Sequence, residues 1–187
     1  MVFEFRQRGA WRREEYFALA REHGIVAFQA HNMDDPPRHF LPDGEWCKGD
    51  LLDHFGVRGD ASVTATGQLG GTAFLVRKDD AAGRFFGELR DVFLRHFELC
   101  DDSPSKSPNL AGFVENRHDQ SVFSLLGKKH GVFSLSAMEY DPLDGSGDCS
   151  RLSSDAPILA KHDKGGVRSL FPLWFKNVVH FATGGKI

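Results

Sequence analysis

Two short segments of the sequence combine glycines and polar side chains in a way that could hold a hydroxyl-rich ligand. The first, Thr66 to Gly71, reads TGQLGG, and Gly67, Gly70 and Gly71 would let the backbone approach a ligand closely. Gln68 could donate to one hydroxyl group and accept from another. The same residues are also typical of a glycine-rich turn between two secondary-structure elements, so that structural alternative stays open. The pattern is not GxGxxG and no helix follows it directly, which argues against a dinucleotide site.

The second segment, Glu115 to Ser121, reads ENRHDQS and leads into the apolar stripe of a predicted helix. Asp119 alone is explained as an N-cap or first-turn acid, which the helix dipole favours. That explanation does not account for the other polar side chains of the segment, those of Arg117, His118 and Gln120. At a helix N-terminus beside a sheet, these side chains would face the crevice where α/β proteins bind ligands. The same position suits a phosphate group or a sugar hydroxyl.

A third segment near the end of the sequence carries His180 and Lys186. An imidazole can bind a divalent metal, and a lysine six residues further on can neutralise a phosphate. A single histidine near the end of a sequence also commonly binds no metal or ligand. The acidic run from Asp144 to Asp155 has Cys149 where a calcium loop requires glycine, and the nine histidines form no HxH or HxxxH pair. Neither a calcium loop nor a histidine-pair zinc site is therefore predicted.

Helices and short strands alternate in the predicted secondary structure. Apolar residues at helical spacing predict four helices, over 12–23, 48–55, 85–97 and 119–130. Short apolar runs predict four strands, over 25–28, 72–76, 132–138 and 178–181. Prolines and polar residues predict three loops, over 31–43, 103–109 and 141–154. This alternation predicts a layered α/β fold.

The composition of the 187 residues is that of one globular domain. Hydrophobic residues make up 41% of the chain, and 17 phenylalanines predict a core built largely from aromatic rings. The net charge of −3 gives no general attraction to nucleic acid or to an anionic membrane. No apolar run is long enough for a membrane span and no signal peptide is visible, which predicts a cytoplasmic protein. Three separated cysteines predict free thiols.

The segment Asn116 to Gly131, NRHDQSVFSLLGKKHG, resembles the signature of bacterial and viral nucleotide-diphospho-sugar transferase-like proteins. These are glycosyltransferases of the GT-A fold, often encoded among genes for polysaccharide biosynthesis. Shorter segments resemble the same group in the same order, at 14–17, 24–29, 46–50, 66–68 and 76–78. The resemblance covers roughly residues 12 to 131.

The resemblance implies a fold and a set of roles. The fold is the C-terminal portion of a GT-A-like domain, a mixed sheet flanked by helices. Asp119 and Gln120 would be catalytic, with Asp119 on substrate hydroxyls and Gln120 near the reacting carbon. Donor-sugar binding would fall to Gly67, Gln68, Gly70, Gly71, Arg117 and His118. His180 would bind the divalent metal, Mn²⁺ or Mg²⁺, and Lys186 the diphosphate, although the glycine and the Pro-Trp pair of that family motif are displaced or missing.

Two functions follow as expectations. One is transfer of a sugar from a nucleotide-sugar donor to a glycan or another hydroxyl acceptor. The other is a truncated or degenerate glycosyltransferase-like module that binds without catalysis, because the sequence contains no Asp-x-Asp metal motif. Residues 1–187 are accordingly expected to form a single glycosyltransferase-like domain without the nucleotide-binding half. Such a domain should expose a sheet edge or an apolar face.

Overall fold

A computed structural model of the protein describes residues 2–5, 13–30, 40–136 and 158–161. The predicted loop over 141–154 and the predicted strand over 178–181 lie outside these ranges. His180 and Lys186 lie outside them as well, so the predicted metal and diphosphate ligands stay predictions.

Helices and short strands are interspersed along the described chain, although several helices follow one another without an intervening strand. The elements in chain order are β1 (Val2–Phe5), α1 (Arg13–His23), β2 (Ile25–Gln29), α2 (Asp43–Trp46), α3 (Gly49–Phe55), α4 (Ala61–Thr64), β3 (Leu69–Val76), α5 (Asp80–Arg95), a 3-10 helix (Phe97–Leu99), α6 (His118–Lys129), β4 (Phe133–Leu135) and β5 (Ile158–Lys161). The short elements β1, α2, α4 and β5 were not predicted.

The main sheet has three strands in the order β3-β2-β4. Strand β2 runs antiparallel to β3 and parallel to β4, so the sheet is mixed. A separate antiparallel pair joins β1 to β5. The central strand β2 is buried from Ile25 to Phe28, in keeping with its continuous apolar sequence. The predicted α/β class, with a mixed sheet flanked by helices, is confirmed.

Strand β3 is interrupted by a bulge. Ala27 of β2 lies opposite Phe74, whereas the next residue, Phe28, lies opposite Gly70. One step along β2 therefore spans several residues of β3, and the excess, residues 71–73, leaves the ladder. The strand was predicted to begin at 72, and that boundary was wrong. It begins at Leu69, because the glycines that suggested a turn instead belong to a bulged strand.

The predicted helices α1, α3, α5 and α6 are confirmed, and their ends have clear causes. At the start of α5, the Asp79 carboxylate accepts a hydrogen bond of 2.9 Å from Ala82 N. Gly56 follows α3 with φ of +69°, and Gly24 follows α1 with φ of +81°, conformations that favour glycine. Within the described ranges, no helix is both long and apolar enough to cross a membrane.

The core lies where α6 packs between the sheet and helices α3 and α5. One cluster joins α3, α5 and α6 through Cys47, Leu51, Leu52, Val92, Val122 and Leu125. A second cluster joins the sheet to α5 and α6 through Ile25, Ala27, Leu69, Phe85, Phe123 and Leu126. The rings of Phe85 and Phe123 meet edge to face at 5.6 Å, a favourable aromatic geometry. Phe74 of β3 also lies against Phe123 and Phe86, so aromatic rings join the sheet to both long helices. The buried core of the described residues nevertheless consists mainly of Leu, Val and Ala, so the predicted, largely aromatic core is not found there.

Strand β3 is an edge of the described three-stranded sheet, and two of its apolar side chains reach solvent. Phe74 is 39% exposed and Val76 is 37% exposed. An exposed edge of this kind was expected of a domain without its nucleotide half. Whether such a half belongs to this protein stays a prediction.

Substitution of Gly49 tests how closely α3 packs on the loop after the 3-10 helix. A Cβ atom at Gly49 would overlap the carbonyl oxygen of Pro108 and lie 2.9 Å from that of Ser107. We expect Gly49→Ala to lower the free energy of unfolding by about 1–3 kcal/mol, since backbone atoms must move. Urea denaturation followed by circular dichroism measures the change.

The matched control is Gly87→Ala in α5, where an added Cβ atom meets nothing within 4 Å. That substitution should raise the free energy of unfolding by about 0.5–1 kcal/mol, because alanine is the better helix former. Equal effects of the two substitutions would contradict the packing described here.

Candidate functional site

A polar pocket of about 470 Å³ opens beside the first turn of α6. Its volume lies within the range of small-molecule sites. The pocket is lined by Lys48, Asp101, Asp102, Ser103, Pro104, Ser105, Asn109, Phe113, Glu115, Asn116, Arg117 and His118. Most of these side chains can donate or accept hydrogen bonds, which suits a ligand rich in hydroxyl groups.

Lys48 forms the inner wall of the pocket and is almost completely buried. Its ammonium group donates to the carbonyl oxygens of Glu98, Asp101 and Ser103. The same group lies 3.3 Å from a carboxylate oxygen of Asp101. With only 2% of the residue exposed, Lys48 fixes the chain after the 3-10 helix and has little capacity left for a ligand.

The loop over 101–109 forms one side of the pocket and is held by the N-terminus of α3. The Asp50 carboxylate accepts hydrogen bonds of 2.7 Å from both Lys106 N and Ser107 N. In return, Asp50 N donates to Ser105 Oγ at 2.9 Å and Gly49 N donates to Asn109 Oδ1 at 2.7 Å. These reciprocal bonds hold in place a loop that has no regular secondary structure of its own.

Arg58 holds the same loop from the other end of α3. It donates to Pro108 O at 2.6 Å and to Ser107 Oγ at 3.0 Å. The guanidinium also hydrogen-bonds to both carboxylate oxygens of Asp53, and this lowers the pKa of Asp53 to about 2. One wall of the pocket is therefore fixed at both ends.

Arg117 forms part of the opposite wall. Its guanidinium carbon lies 4.7 Å from the centroid of the Trp46 ring, a cation–π contact. Its Nε lies 3.3 Å from a carboxylate oxygen of Glu115, yet this nitrogen makes no hydrogen bond among the described residues. The side chain is 38% exposed, so part of it remains open to a ligand.

His118 stands at the junction between the pocket and α6. Its Nε2 lies 2.7 Å from Asp102 Oδ1, across a separation of 16 residues. Its φ of +51° is the one positive value of a non-glycine residue within the described ranges. Backbone strain of this kind persists only where surrounding contacts enforce it, and it is concentrated at functional sites.

Gln68, predicted to bind a donor sugar, lies inside the protein and is 0% exposed. Its Nε2 donates to Trp46 O at 3.1 Å, and its Oε1 accepts from Gln120 Nε2 at 2.8 Å. The structure thus joins the two predicted segments through these amides. The amide group of Gln68 is therefore hydrogen-bonded to other groups of the protein, and it connects α2, the start of β3 and α6.

The glycines around Gln68 pack against neighbouring elements and do not line the pocket. A Cβ atom at Gly67 would lie 3.1 Å from the Phe40 ring, and one at Gly71 would lie 3.7 Å from Gln120 Cα. Gly70 is buried. Asp119 lies in the first turn of α6 as predicted, exposed, with its carboxylate accepting from Gln120 N at 3.0 Å.

The predicted site residues therefore fall into two groups. Arg117 and His118 line the pocket, whereas Asp119, Gln120 and the segment Gly67 to Gly71 do not. The pocket residues between positions 101 and 113 were not predicted as site residues: Asp101, Asp102, Ser103, Pro104, Ser105, Asn109 and Phe113. The density of Asp, Ser and Asn in that loop was the available signal.

A buried polar network beneath the pocket consists of Asp43, Cys47, Gln68, Ser121, Ser124 and Lys128. The Asp43 carboxylate is 0% exposed and lies 2.5 Å from Lys128 Nζ. Ser124 Oγ lies 2.9 Å from the same carboxylate and also accepts from Leu69 N at 2.9 Å. Burial raises the pKa of Asp43 above its ordinary value, and Lys128 opposes that rise.

Cys47 belongs to this network and is not a nucleophile candidate. Burial, and next the nearby Asp43 carboxylate, raise the pKa of its thiol well above the ordinary value. Because the thiolate is the reactive form, such a thiol is inert at neutral pH. Within the described part of the chain, Cys47 and Cys100 are free, as predicted.

The described residues contain no group of three or more His, Cys, Asp or Glu side chains that could hold a metal ion. The residues described here therefore do not by themselves fit the metal that the resemblance implies. No step of the proposed chemistry is assigned to a metal.

Comparisons of the chain with protein-family models, with curated proteins and with solved structures each gave no match. The resemblance to nucleotide-diphospho-sugar transferase-like proteins therefore rests on the sequence motifs.

Lys128→Met tests the buried polar network, because it leaves the Asp43 carboxylate buried without its cation. We expect the free energy of unfolding to fall by about 3–5 kcal/mol at neutral pH. Lys129→Met is the matched control, since Lys129 is 52% exposed and its partner Glu88 lies 4.0 Å away. That control should change stability by less than about 0.5 kcal/mol.

The effect of Lys128→Met should depend on pH. Burial raises the pKa of Asp43 in the native state, so a protonated Asp43 stabilises the folded protein relative to the unfolded chain. This stabilisation is lost as the pH rises through the pKa that Asp43 has in the folded protein. Removal of Lys128 removes the charge that opposes the rise of that pKa. The variant should therefore lose more stability at pH 8 than at pH 5, measured by urea denaturation. A loss that does not vary with pH would contradict this account.

Proposed function

We propose that the protein is a glycosyltransferase-like protein whose pocket beside α6 binds the sugar of a nucleotide-sugar donor. The observation that carries this proposal is the position of Arg117 and His118. These residues belong to the most specific family-like motif, and they line a pocket of suitable size. The reaction would transfer the sugar to a hydroxyl group of a glycan or a similar acceptor.

The chemistry of the pocket supports a sugar ligand. Phe113 supplies an apolar surface for a ring, and Asn109, whose Oδ1 accepts from Gly49 N, has an amide nitrogen that can donate to a hydroxyl group. Fixed polar groups around one aromatic face match a ring that carries many hydroxyl groups. The segments on both sides of the pocket are held by long-range hydrogen bonds, so the site is largely formed before binding.

The charges of the pocket favour the sugar over the diphosphate. Asp101, Asp102 and Glu115 carry negative charge, while Lys48 is buried against carbonyl oxygens and Arg117 is paired with Glu115. Such a wall repels a diphosphate more than a neutral polyhydroxyl group. The diphosphate is therefore left to Lys186 and to a divalent metal on His180, as the resemblance proposes.

The proposed roles of Asp119 and Gln120 depend on the first turn of α6. Asp119 is exposed there and could accept from a substrate hydroxyl. Gln120 has one of its amide hydrogens engaged by Gln68, which fixes its orientation. A fixed amide beside the sugar would position the donor carbon for attack.

The second candidate function is a non-catalytic binding module. Several residues of the family-like motifs serve the fold itself: Cys47, Lys48, Gln68 and Ser121 are all buried and hydrogen-bonded. Stability alone can therefore retain these motifs in a chain that has no transferase activity. A cytoplasmic location is proposed for either function on the sequence alone.

Binding of a nucleotide sugar should raise the melting temperature, because a ligand of the native state stabilises it by about 2.7 kcal/mol at 100 times its dissociation constant. The measurement is a thermal-shift titration with UDP-sugars and GDP-sugars, with and without Mn²⁺. We expect Arg117→Met to lose the shift. Arg90→Met is the matched control, since Arg90 is 70% exposed on α5 and lies outside the pocket lining.

The outcomes separate the two candidates. A shift that is accompanied by release of nucleoside diphosphate supports the transferase. A shift without any turnover across a panel of glycan acceptors supports the binding module. No shift with any nucleotide sugar, in a protein that melts cooperatively, contradicts the assignment of the pocket.

A further inference from the structure

We propose that Ser121 is a positioning residue that holds Arg117 in the wall of the pocket. This inference rests on the proposed function, in which binding of the donor depends on Arg117. Ser121 is 0% exposed, so it does not touch a ligand itself. It acts through its hydroxyl group, which connects the backbones of Trp46 and Arg117.

The hydroxyl group of Ser121 makes two short hydrogen bonds to these backbones. It donates to Trp46 O at 2.7 Å and accepts from Arg117 N at 2.9 Å. Trp46 and Arg117 are far apart in the sequence, yet the guanidinium carbon lies 4.7 Å from the centroid of the indole ring. One hydroxyl group therefore fixes both halves of this cation–π contact relative to α6.

The place of Ser121 in α6 explains its contact with Arg117. Helix α6 begins at His118, and Arg117 is its N-cap residue, whose own side chain makes no capping hydrogen bond. A nearby helical side chain that accepts from the N-cap N–H forms one half of a capping box. Ser121 makes the equivalent contact from four residues further along the chain. This contact sets the direction of the backbone at Arg117, and with it the direction in which the side chain leaves α6.

The partners of the Ser121 hydroxyl group also have other hydrogen bonds. Trp46 O accepts from Gln68 Nε2 at 3.1 Å, and Arg117 N also donates to Trp46 O at 3.3 Å. Removal of the hydroxyl group therefore leaves neither backbone group without a partner, and an orphaned buried group is a common source of large stability losses. The main loss is that of two short bonds, and so of the placement of Arg117 on Trp46.

That placement matters because few other contacts restrain the Arg117 side chain. Its Nε is buried and makes no hydrogen bond among the described residues. Its ion pair with Glu115 is 3.3 Å long, and Glu115 is 59% exposed, so the pair contributes little order. The stack on Trp46 thus orders Arg117 before a ligand arrives, and a disordered side chain would lower the affinity because binding would have to order it.

The stack is tested by NMR of the arginine side chains, without any ligand. In the wild-type protein the ring current of Trp46 should displace the Nε–H signal of Arg117, which is assigned by its absence from Arg117→Met. In Ser121→Ala this signal should move towards that of an unstacked arginine, because the backbone that carries the side chain is no longer fixed. An unchanged signal in Ser121→Ala would overturn the positioning role.

Ser124→Ala is the matched control for this measurement. Ser124 is also 0% exposed and lies three residues further along α6, but its hydroxyl group bonds to Asp43 of α2 and to Leu69 of β3. The Arg117 signal should therefore keep its wild-type position in this variant. A displacement as large as in Ser121→Ala would mean that any loss from the buried network disturbs the stack, and Ser121 would have no special role.

The effect on binding is measured with the UDP-sugars and GDP-sugars that raise the melting temperature of the wild-type protein. Ser121→Ala should weaken binding about 10-fold, because the ordered guanidinium is lost. Ser124→Ala should weaken it less than ~2-fold, although it should lower stability at least as much, since Leu69 N loses its acceptor. Affinities that simply follow the stabilities of the two variants would contradict the inference.

The route through Arg117 is tested in an Arg117→Lys background. Lysine keeps the positive charge but does not stack as the planar guanidinium does. In this background Ser121→Ala should weaken binding less than ~3-fold, because the group that it positions is already absent. If the loss seen in the wild-type background recurred in full, Ser121 would support the pocket by another route and the inference would be wrong.

Failure of this inference and failure of the proposed function give different results. If no nucleotide sugar shifts the melting temperature of the wild-type protein, the proposed function is overturned, and the NMR measurement then decides the role of Ser121 alone. If nucleotide sugars bind Ser121→Ala as tightly as the wild-type protein, the positioning role is overturned while the assignment of the pocket stands.

Discussion

The burial of the Asp43 carboxylate is the constraint on which the rest of the site depends. A buried carboxylate requires a cation and hydrogen-bond donors, and α6 supplies both in Lys128 and Ser124. Because Ser124 also accepts from Leu69 N, the same contact ties the start of β3 to α6. One turn earlier, Ser121 donates to Trp46 O at 2.7 Å. These bonds fix the axis of α6, and thereby the place of its first turn.

The pocket is a consequence of that placement combined with a second anchor on α3. The loop over 101–109 forms no helix or strand, and its carbonyl and amide groups instead form hydrogen bonds with Lys48, Asp50 and Arg58. Backbone groups of such a loop need partners wherever water is excluded, and the side chains around α3 provide them. Motif residues such as Gln68 thus support the fold beside the pocket, while Arg117 and His118 line it.

The sequence predicted the long elements well, because α1, α5 and α6 have repeating apolar faces. It missed α2 and α4, each four residues long, since so short an element shows no period. The start of β3 was misplaced because Gly70 and Gly71 are equally compatible with a turn and with a bulge. Arg117 and His118 were found through their motif. Asp102 was missed, because its partner lies 16 residues away and loop geometry decides whether the two meet.

The buried ammonium group of Lys48 gives the protein an internal reporter of loop opening. Reagents that acylate amines act on the neutral, solvent-accessible form, and here the nitrogen is enclosed by carbonyl oxygens and by Asp101. Acylation of Lys48 therefore requires the loop over 101–109 to separate from α3. The rate at which Lys48 is labelled, relative to that of exposed lysines such as Lys129, would measure how often the loop over 101–109 separates from α3 in solution.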